Sequence, residues 1–304
     1  MPCMDSNEAG GGGTVALGGL TPRRARWPSF GALPGAMVAA IFTLSAGEAR
    51  AQASAASPVA EAPAPKWEGA IGLLGQYGPA YQGAETSRLR LRPGLFLRYG
   101  HFSATTSGGF VTRRNDEVQR GLSAELLTYE SLRLSLSLRV DGGRDDDADP
   151  MLHGLGRVRA TVRGRLLAVK DFGAGWKLSS AISPDLLGRG GGILADVGLS
   201  YEWRLSPMLR ANAGLGLTGA DQRYMQSYFG VTAEQSQRSG HPGYTPSAGL
   251  RDVGFGLGLR AELGRDWLGF VSASTTQLLG PTLDSPLTRR RDTWGVGGGL
   301  AWRF

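Results

Sequence analysis

The sequence predicts an all-β chain: a transmembrane, antiparallel, up-and-down β-barrel of twelve strands. Three observations predict it. Apolar and polar residues alternate with a period of two from Trp67 onward. The connections between the alternating segments are short and long by turns. Aromatic residues gather at the segment ends rather than in their middles. Side chains on a strand point to opposite faces in turn, so each such segment has one apolar and one polar face.

The alternation is plainest in RLRLRPGLFLRY, where Leu89, Leu91, Leu95 and Leu97 share one face and Arg88, Arg90, Arg92 and Arg98 the other. Leu132, Leu134, Leu136, Leu138 and Val140 alternate with Arg133, Ser135, Ser137, Arg139 and Asp141. Val158, Ala160, Val162 and Leu166 alternate with Arg157, Arg159, Thr161, Arg163 and Arg165. Segments beginning at Ile193 and Val253 repeat the pattern, the latter with glycine on its second face. The whole chain gives strands at 67–77, 88–99, 101–112, 121–129, 131–141, 156–168, 174–184, 193–204, 208–219, 252–263, 267–279 and 293–304. Most reach the roughly 9–11 residues that a tilted strand needs to cross a bilayer, and an even count suits a bacterial single-chain barrel.

Connections after even-numbered strands are short: Gly100, Glu130, the stretch at Asp171 and Gly173, Leu205-Ser206-Pro207, and Gly264-Arg265-Asp266. Those after odd-numbered strands are longer, and the one at 220–251 has 32 residues, enough to fold inward. Short turns on one side and long loops on the other are the habit of outer-membrane barrels. Trp67, Tyr99, Tyr129, Trp176, Trp203, Trp267, Trp302 and Phe304 fall near the short-turn ends, with Tyr77 and Trp294 at the opposite ends. Rings with an apolar body and a polar tip favour the headgroup level. The final strand, WGVGGGLAWRF, closes on an aromatic residue, which resembles the signal read by the outer-membrane assembly machinery.

Composition agrees with this class. Hydrophobic content is 41% and mean hydropathy −0.16, with 48 glycines, about twice the usual share. No apolar run long enough for a membrane helix follows the N-terminal region. The net charge of +7 is modest and its arginines are dispersed, so nucleic acid is not the expected partner.

The N-terminal 1–51 reads as an export signal. Arg23, Arg24 and Arg26 form a basic region, 30–46 a mostly apolar one, and Ala49, Ala51 and Ala53 offer cleavage spacing. Pro34 and Gly35 interrupt the apolar run, which is short for an anchor; the arginine pair is not followed by a convincing twin-arginine pattern. The glycine-rich start has the look of an over-long start assignment. Cleavage is expected near Gln52 or Ser54. Residues 52–66 form a disordered Ala/Pro linker, and 67–304 the barrel. The single cysteine, Cys3, lies in the part expected to be removed, so the mature chain is expected to have neither disulfides nor thiolate metal sites.

Several segments carry a family resemblance: Tyr81-Gln82-Gly83, Gly154-Leu155-Gly156, SGHPGYTPSAGLRDVGFGL (239–257), LLGPTLDSPLTRR (278–290) and Arg303-Phe304. Together they resemble the MipA/OmpV family of outer-membrane proteins, the MltA-interacting protein family, over roughly 67–304. Ser239-Gly240…Tyr244…Ala248-Gly249 and Asp284-Ser285-Pro286 are the most specific parts. Pro281 stands where family members often have an acidic residue. The resemblance implies an outer-membrane barrel without catalytic residues. One branch is described as a scaffold joining a lytic transglycosylase to a peptidoglycan synthase, others as adhesins or solute-responsive porins.

Enzymatic readings find little purchase. His101, His153 and His241 are far apart in sequence, and no Ser/His arrangement sits on paired strands. Asp145, Asp146, Asp147 and Asp149 lack EF-hand spacing and read as a solvated loop. Gly188 and Gly190 to Gly192 precede a strand, not the helix a phosphate loop requires. No metal, cofactor or nucleotide site emerges.

If the apolar faces meet lipid, Arg88, Arg90, Arg92, Arg98, Arg133, Arg139, Arg157, Arg159, Arg163 and Arg165 line the lumen. Two readings stay open. They form an anion-attracting wall, or a closed interior in which they pair with Glu125, Asp196, Glu202 and Glu262. Twelve strands fall between filled eight-stranded barrels and open sixteen-stranded porins. Two function classes follow: an envelope scaffold contacting periplasmic murein enzymes, resting on the resemblance, and a narrow channel or receptor for small, anionic solutes, resting on the arginines.

Overall fold

In a computed structural model, residues 67–106 and 120–304 are described. The alternating segments form strands because each satisfies its backbone against its neighbours and turns its apolar face outward. They are β1 (Trp67–Pro79), β2 (Ser87–Tyr99), β3 (Phe102–Thr105), β4 (Gly121–Tyr129), β5 (Leu132–Asp141), β6 (Thr161–Gly173), β7 (Trp176–Pro184), β8 (Ile193–Arg204), β9 (Leu209–Ala220), β10 (Gly249–Leu263), β11 (Trp267–Leu278) and β12 (Asp292–Arg303). Each pairs antiparallel with its sequence neighbours, and β12 closes on β1 with Ala70 opposite Arg303 and Tyr77 opposite Val296. The result is a closed twelve-stranded barrel. The expected export signal at 1–51 and linker at 52–66 lie outside the described residues.

The outer wall is apolar and exposed: Leu89 and Leu91 are both 64% accessible, and Val140, Leu215, Leu257 and Val271 share that face. A water-soluble protein does not carry so continuous an apolar surface. At the short-turn end the rings form pairs, with Trp67 4.9 Å from Tyr99, Trp176 4.8 Å from Tyr201 and Trp302 5.4 Å from Phe304. Tyr77 and Trp294, 5.8 Å apart, mark the other end. In β4 a bulge between Glu125 and Leu127 lets both Leu126 and Leu127 face outward.

The largest departures from expectation concern β6, β3 and the 220–251 connection. β6 runs over 161–173, not 156–168, so Arg157 and Arg159 lie in the loop before it. Gly154 and Gly156 adopt positive φ (80° and 74°), which breaks an extended chain. Gly143 (φ 72°) lies so close to the Val158 carbonyl that no side chain fits there, and the Arg144–Val158 bridge closes at that point. β3 is described over four residues, where a strand at 101–112 was expected. The 220–251 connection contains two helices, α1 (Gln222–Phe229) and α2 (Ala233–Ser239). Asp221 caps α1, accepting from the Tyr224 N–H at 2.8 Å, and a Thr232/Gln235 capping box opens α2. No helix among the described residues is long and apolar enough to span a membrane.

The apolar core is divided. At the long-loop end Tyr224, Met225 and Phe229 of α1 pack on Leu194, Ala220 and Leu278. Above them Val231 meets Leu152, Leu155 and Leu287 from two other loops. At the opposite end of the barrel, Ala70, Phe96, Leu268 and Ala301 meet on the inner wall.

Candidate functional site

The site is the barrel interior and the cap that closes its long-loop end. On β6 the odd residues face inward, because Val162 and Leu166 take the outer face. Arg163 is consequently fully buried. Its Nε donates to Asp141 at 2.7 Å, Nη1 to the carbonyls of Ser183 (3.2 Å) and Gly192 (3.3 Å), and Nη2 to that of Gly191 (2.6 Å). Its guanidinium also sits 5.5 Å from the Tyr224 ring centroid, so α1 rests on it. Arg165 makes a two-pronged pair with Asp196 (2.6 and 2.7 Å) and reaches Ser183 Oγ at 3.1 Å. Arg139 stands opposite Arg163 in register, within electrostatic reach of Asp141 and Asp196. Arg98 and Arg133 lie on the inner face near the short-turn end, beside a small recess shared with Ser103, Ser123 and Glu125, and both are engaged.

On β2, Arg88, Arg90 and Arg92 follow one another down the inner face, since Leu89 and Leu91 face out. Arg90 donates to the carbonyls of Pro79 (2.9 Å) and Ala80 (3.0 Å); Arg88 and Arg92 remain exposed. Two of the ten arginines read as lumen-facing do not belong with the rest. Arg157 is exposed in the loop and pairs with Asp145 at 3.4 Å, and Arg159 is exposed beside it. The positive φ of Gly154 and Gly156 takes both off the strand face that the alternation predicts.

Three further arginines were not singled out in the sequence. Arg210 pairs with Glu202 at 2.6 Å, and its inward position is legible in the alternation with Leu209 and Ala211. Arg251 pairs with Asp252 and donates to Tyr224 Oη at 3.0 Å. Arg144 is buried in a loop and donates to the Tyr228 carbonyl at 2.8 Å; nothing in DGGRDDDAD separates it from a solvated charge.

The cap is held by polar ties among the long loops. Tyr224 Oη donates to Gln82 at 3.2 Å, Gln235 to the Leu155 carbonyl at 2.5 Å, Ser285 to the Phe229 carbonyl at 2.6 Å and Tyr81 to the Leu287 carbonyl at 3.1 Å. Burial, with the Asp149 charge behind it, pushes the Tyr81 phenol up to about 12. Burial and Asp141 raise Tyr228 in the same sense. Burial alone would raise the Asp185 carboxyl, but hydrogen bonds from Thr161 and the Gly191, Leu187 and Arg189 N–H groups outweigh it and hold it below the usual carboxylate range.

Among the described residues the three histidines stand apart from one another. His101 lies 4.0 Å from Glu125 at an exposed turn, His153 is exposed, and His241 Nε2 is 2.9 Å from the Met151 carbonyl. The carboxylates of Asp145, Asp146 and Asp147 come within 4.8 Å of one another in a loop, while Asp149 is turned away and buried, bonded to Thr86 and the Met151 N–H.

Comparison with known proteins places this geometry. The chain is 26% identical over 163 residues to the MltA-interacting proteins of Escherichia coli (strain K12) and Shigella flexneri, covering 53% of this chain and 59% of theirs. The chain thus spans less than two thirds of the curated relatives it matches. Among solved structures it is similar to the NanC porin (TM-score 0.40, 6% identity, 76% of this chain and 98% of that one). It is also similar to an outer membrane channel from Pseudomonas putida F1 (TM-score 0.39, 13% identity, 82% and 100%). The model of the MipA family, described as MltA-interacting protein MipA, matches residues 71–304, and the chain belongs to that family.

Proposed function

We propose that this chain is a non-catalytic outer-membrane barrel serving as an envelope interaction protein, a scaffold linked to peptidoglycan-remodelling enzymes. The observation that carries the reading is the ion-paired inner wall beneath a packed long-loop end. Arg163 and Arg165 are spent on Asp141 and Asp196, and α1 is packed into the long-loop end. A barrel built to pass solute keeps its charged wall free and its mouth open; here Arg163, Arg165 and the α1 end of the barrel are engaged in internal contacts. The relatives' printed name, MltA-interacting protein, supplies the expected partner, a lytic transglycosylase. A peptidoglycan synthase is the further partner that the family resemblance implies. The short turns offer little surface to a periplasmic protein, so the contact is assigned to the 52–66 segment.

The test is cross-linking in cells. Capture of a lytic transglycosylase or peptidoglycan synthase, reduced by deleting residues 54–65, is the expected result, together with no conductance in a planar bilayer. Unchanged cell-wall turnover without the protein, and no such enzyme in the cross-linked material, would end the scaffold reading.

One observation favours a second reading, a narrow channel for small anions. Arg88 and Arg92 are exposed on the inner face of β2, with Arg90 between them. In that case the protein conducts, and Arg88→Glu with Arg92→Glu reverses its anion preference while the folded barrel survives.

A further inference from the structure

Arg144, Arg157 and Arg189 in the loops, Arg238 on α2 and Arg251 at the start of β10 each donate to a named oxygen of the protein, while Arg159 and Arg223 are isolated exposed charges. Arg289, Arg290 and Arg291 differ. All three are exposed, consecutive, and without a guanidinium hydrogen bond among the described residues. Their backbone is nonetheless fixed. The N–H groups of Arg289 and Arg290 both donate to the Gly83 carbonyl at 3.0 Å, and the Arg291 carbonyl accepts from the Leu278 N–H at 2.8 Å.

Their place on the barrel gives them a use. Asp292 begins β12, and Trp294, on the outer face with Tyr77 beside it, marks the headgroup level at the long-loop rim. Arg291 and Trp294 are three residue steps apart, a rise of about 10 Å at about 3.4 Å per residue. A headgroup layer is roughly 5–8 Å deep on each side of the hydrocarbon. The arginine backbones therefore stand at or just above the phosphates, and long arginine stems reach back down. We propose that Arg289, Arg290 and Arg291 bind the phosphate of an anionic lipid headgroup in the leaflet at the long-loop end.

Guanidinium forks match phosphate oxygens in geometry as well as charge. That matters here because exposed Asp284, Asp292 and Glu85 lie in the same rim and dilute its field. Recognition accordingly combines hydrogen bonding by the guanidinium forks with the net negative charge of the lipid, which a zwitterionic headgroup lacks. The proposal rests on the barrel's seat in the membrane and not on any protein partner, so it stands or falls separately from the scaffold reading.

The experiment is native mass spectrometry of the full chain in detergent, titrated with phosphatidylglycerol or phosphatidylcholine. The unaltered protein should retain phosphatidylglycerol about tenfold to a hundredfold more tightly. The R289Q/R290Q/R291Q variant should lose that preference while still migrating faster unboiled than boiled in SDS, the mark of a closed barrel. Equal retention of the two lipids by the unaltered protein would overturn the proposal without recourse to any variant. So would an unchanged preference in the folded triple variant, or displacement of the lipid by inorganic phosphate at equal concentration, which would mean a free-anion site.

Discussion

The inner faces of β5–β8 and of β9–β12 share one barrel and one alternation, yet they are built in opposite ways. On the first, long charged side chains fill the space: Arg139 and Asp141, Arg163 and Arg165, then Asp196. On the second, the inward positions are mostly small: Gly214 and Gly216, Gly254, Gly256 and Gly258, Ser272 and Ser274, Gly295, Gly297 and Gly299. The outer faces do not register this difference, since both are rows of leucine, valine and aromatic residues. Lipid sets the outer residues; the inner ones are set by whether volume is to be filled or left. One wall carries bulky ion-paired residues and the other mostly small ones beside Arg210 and Arg260, so a single barrel builds its two inner walls differently.

The strongest way to break this comparison is Arg163→Ala. It leaves the Asp141 carboxylate and three main-chain carbonyls facing a void, and removing one partner of a buried pair costs about 3–5 kcal/mol. A marked fall in the urea midpoint, with loss of the fast unboiled band, is expected. An unchanged midpoint would mean that the charged wall is not structural.

Tyr224→Ala comes next. The ring lies between Arg163 and Arg251 and is buried under α1. Its removal should cost the cap about 3 kcal/mol and leave the strand pairing intact. Proteolysis within 221–248 should quicken at an unaltered barrel midpoint, and any conductance should rise.

A smaller effect is expected from alkali. Tyr81 titrates at about 12 in the folded cap, against 10.0 when free. A group whose folded pKa is raised stabilises fully below its unfolded value and loses that contribution as pH climbs through the folded one. The cap should therefore be indifferent to pH through neutrality and loosen between about pH 10 and 12, followed by hydrogen exchange in 221–248. Tyr81→Phe should blunt the change. Loosening at neutral pH would assign it to some other group.

The smallest effect belongs to the glycine-rich wall. An added Cβ at Gly216 meets only the Val197 carbonyl, at 3.8 Å. Gly216→Ala should shift stability by less than about 1 kcal/mol, and a larger loss would show that this wall is tightly packed after all.

The strands were legible because lipid imposes a period-two outer face that needs no partner to be read. Their limits were less so where glycine intervened: nothing in HGLGRVRA marks Gly154 and Gly156 as left-handed until the loop around them is known. The capping box of α2 was readable as Thr232-Ala-Glu-Gln235, but a helix so short has little other signature. The arginines were legible as an inward row and illegible as pairs. Arg163 meets Asp141 diagonally across the β5–β6 register, and Asp141 had been seen only as the last polar residue of its strand. Arg144 and Arg251 depend on the folding of α1 over them, which is tertiary information.

The closing pair also has a kinetic meaning. Eleven of the twelve strand pairings join sequence neighbours, whereas β1 with β12 joins Ala70 to Arg303. Closing a loop of that size costs about 5 kcal/mol of chain entropy, several times the cost for a tight hairpin. The seam on which that cost falls carries Gly295, Gly297, Gly298 and Gly299 against Gly72, Gly75 and Gly78, residues that surrender the most freedom and return the least contact on pairing. Zipping along the chain is local and fast, while joining its two outermost strands is remote and weakly rewarded until complete. The pairing of the two chain ends is thus the one step that sequential zipping does not supply, and an assembly factor that held β1 and β12 together would act there.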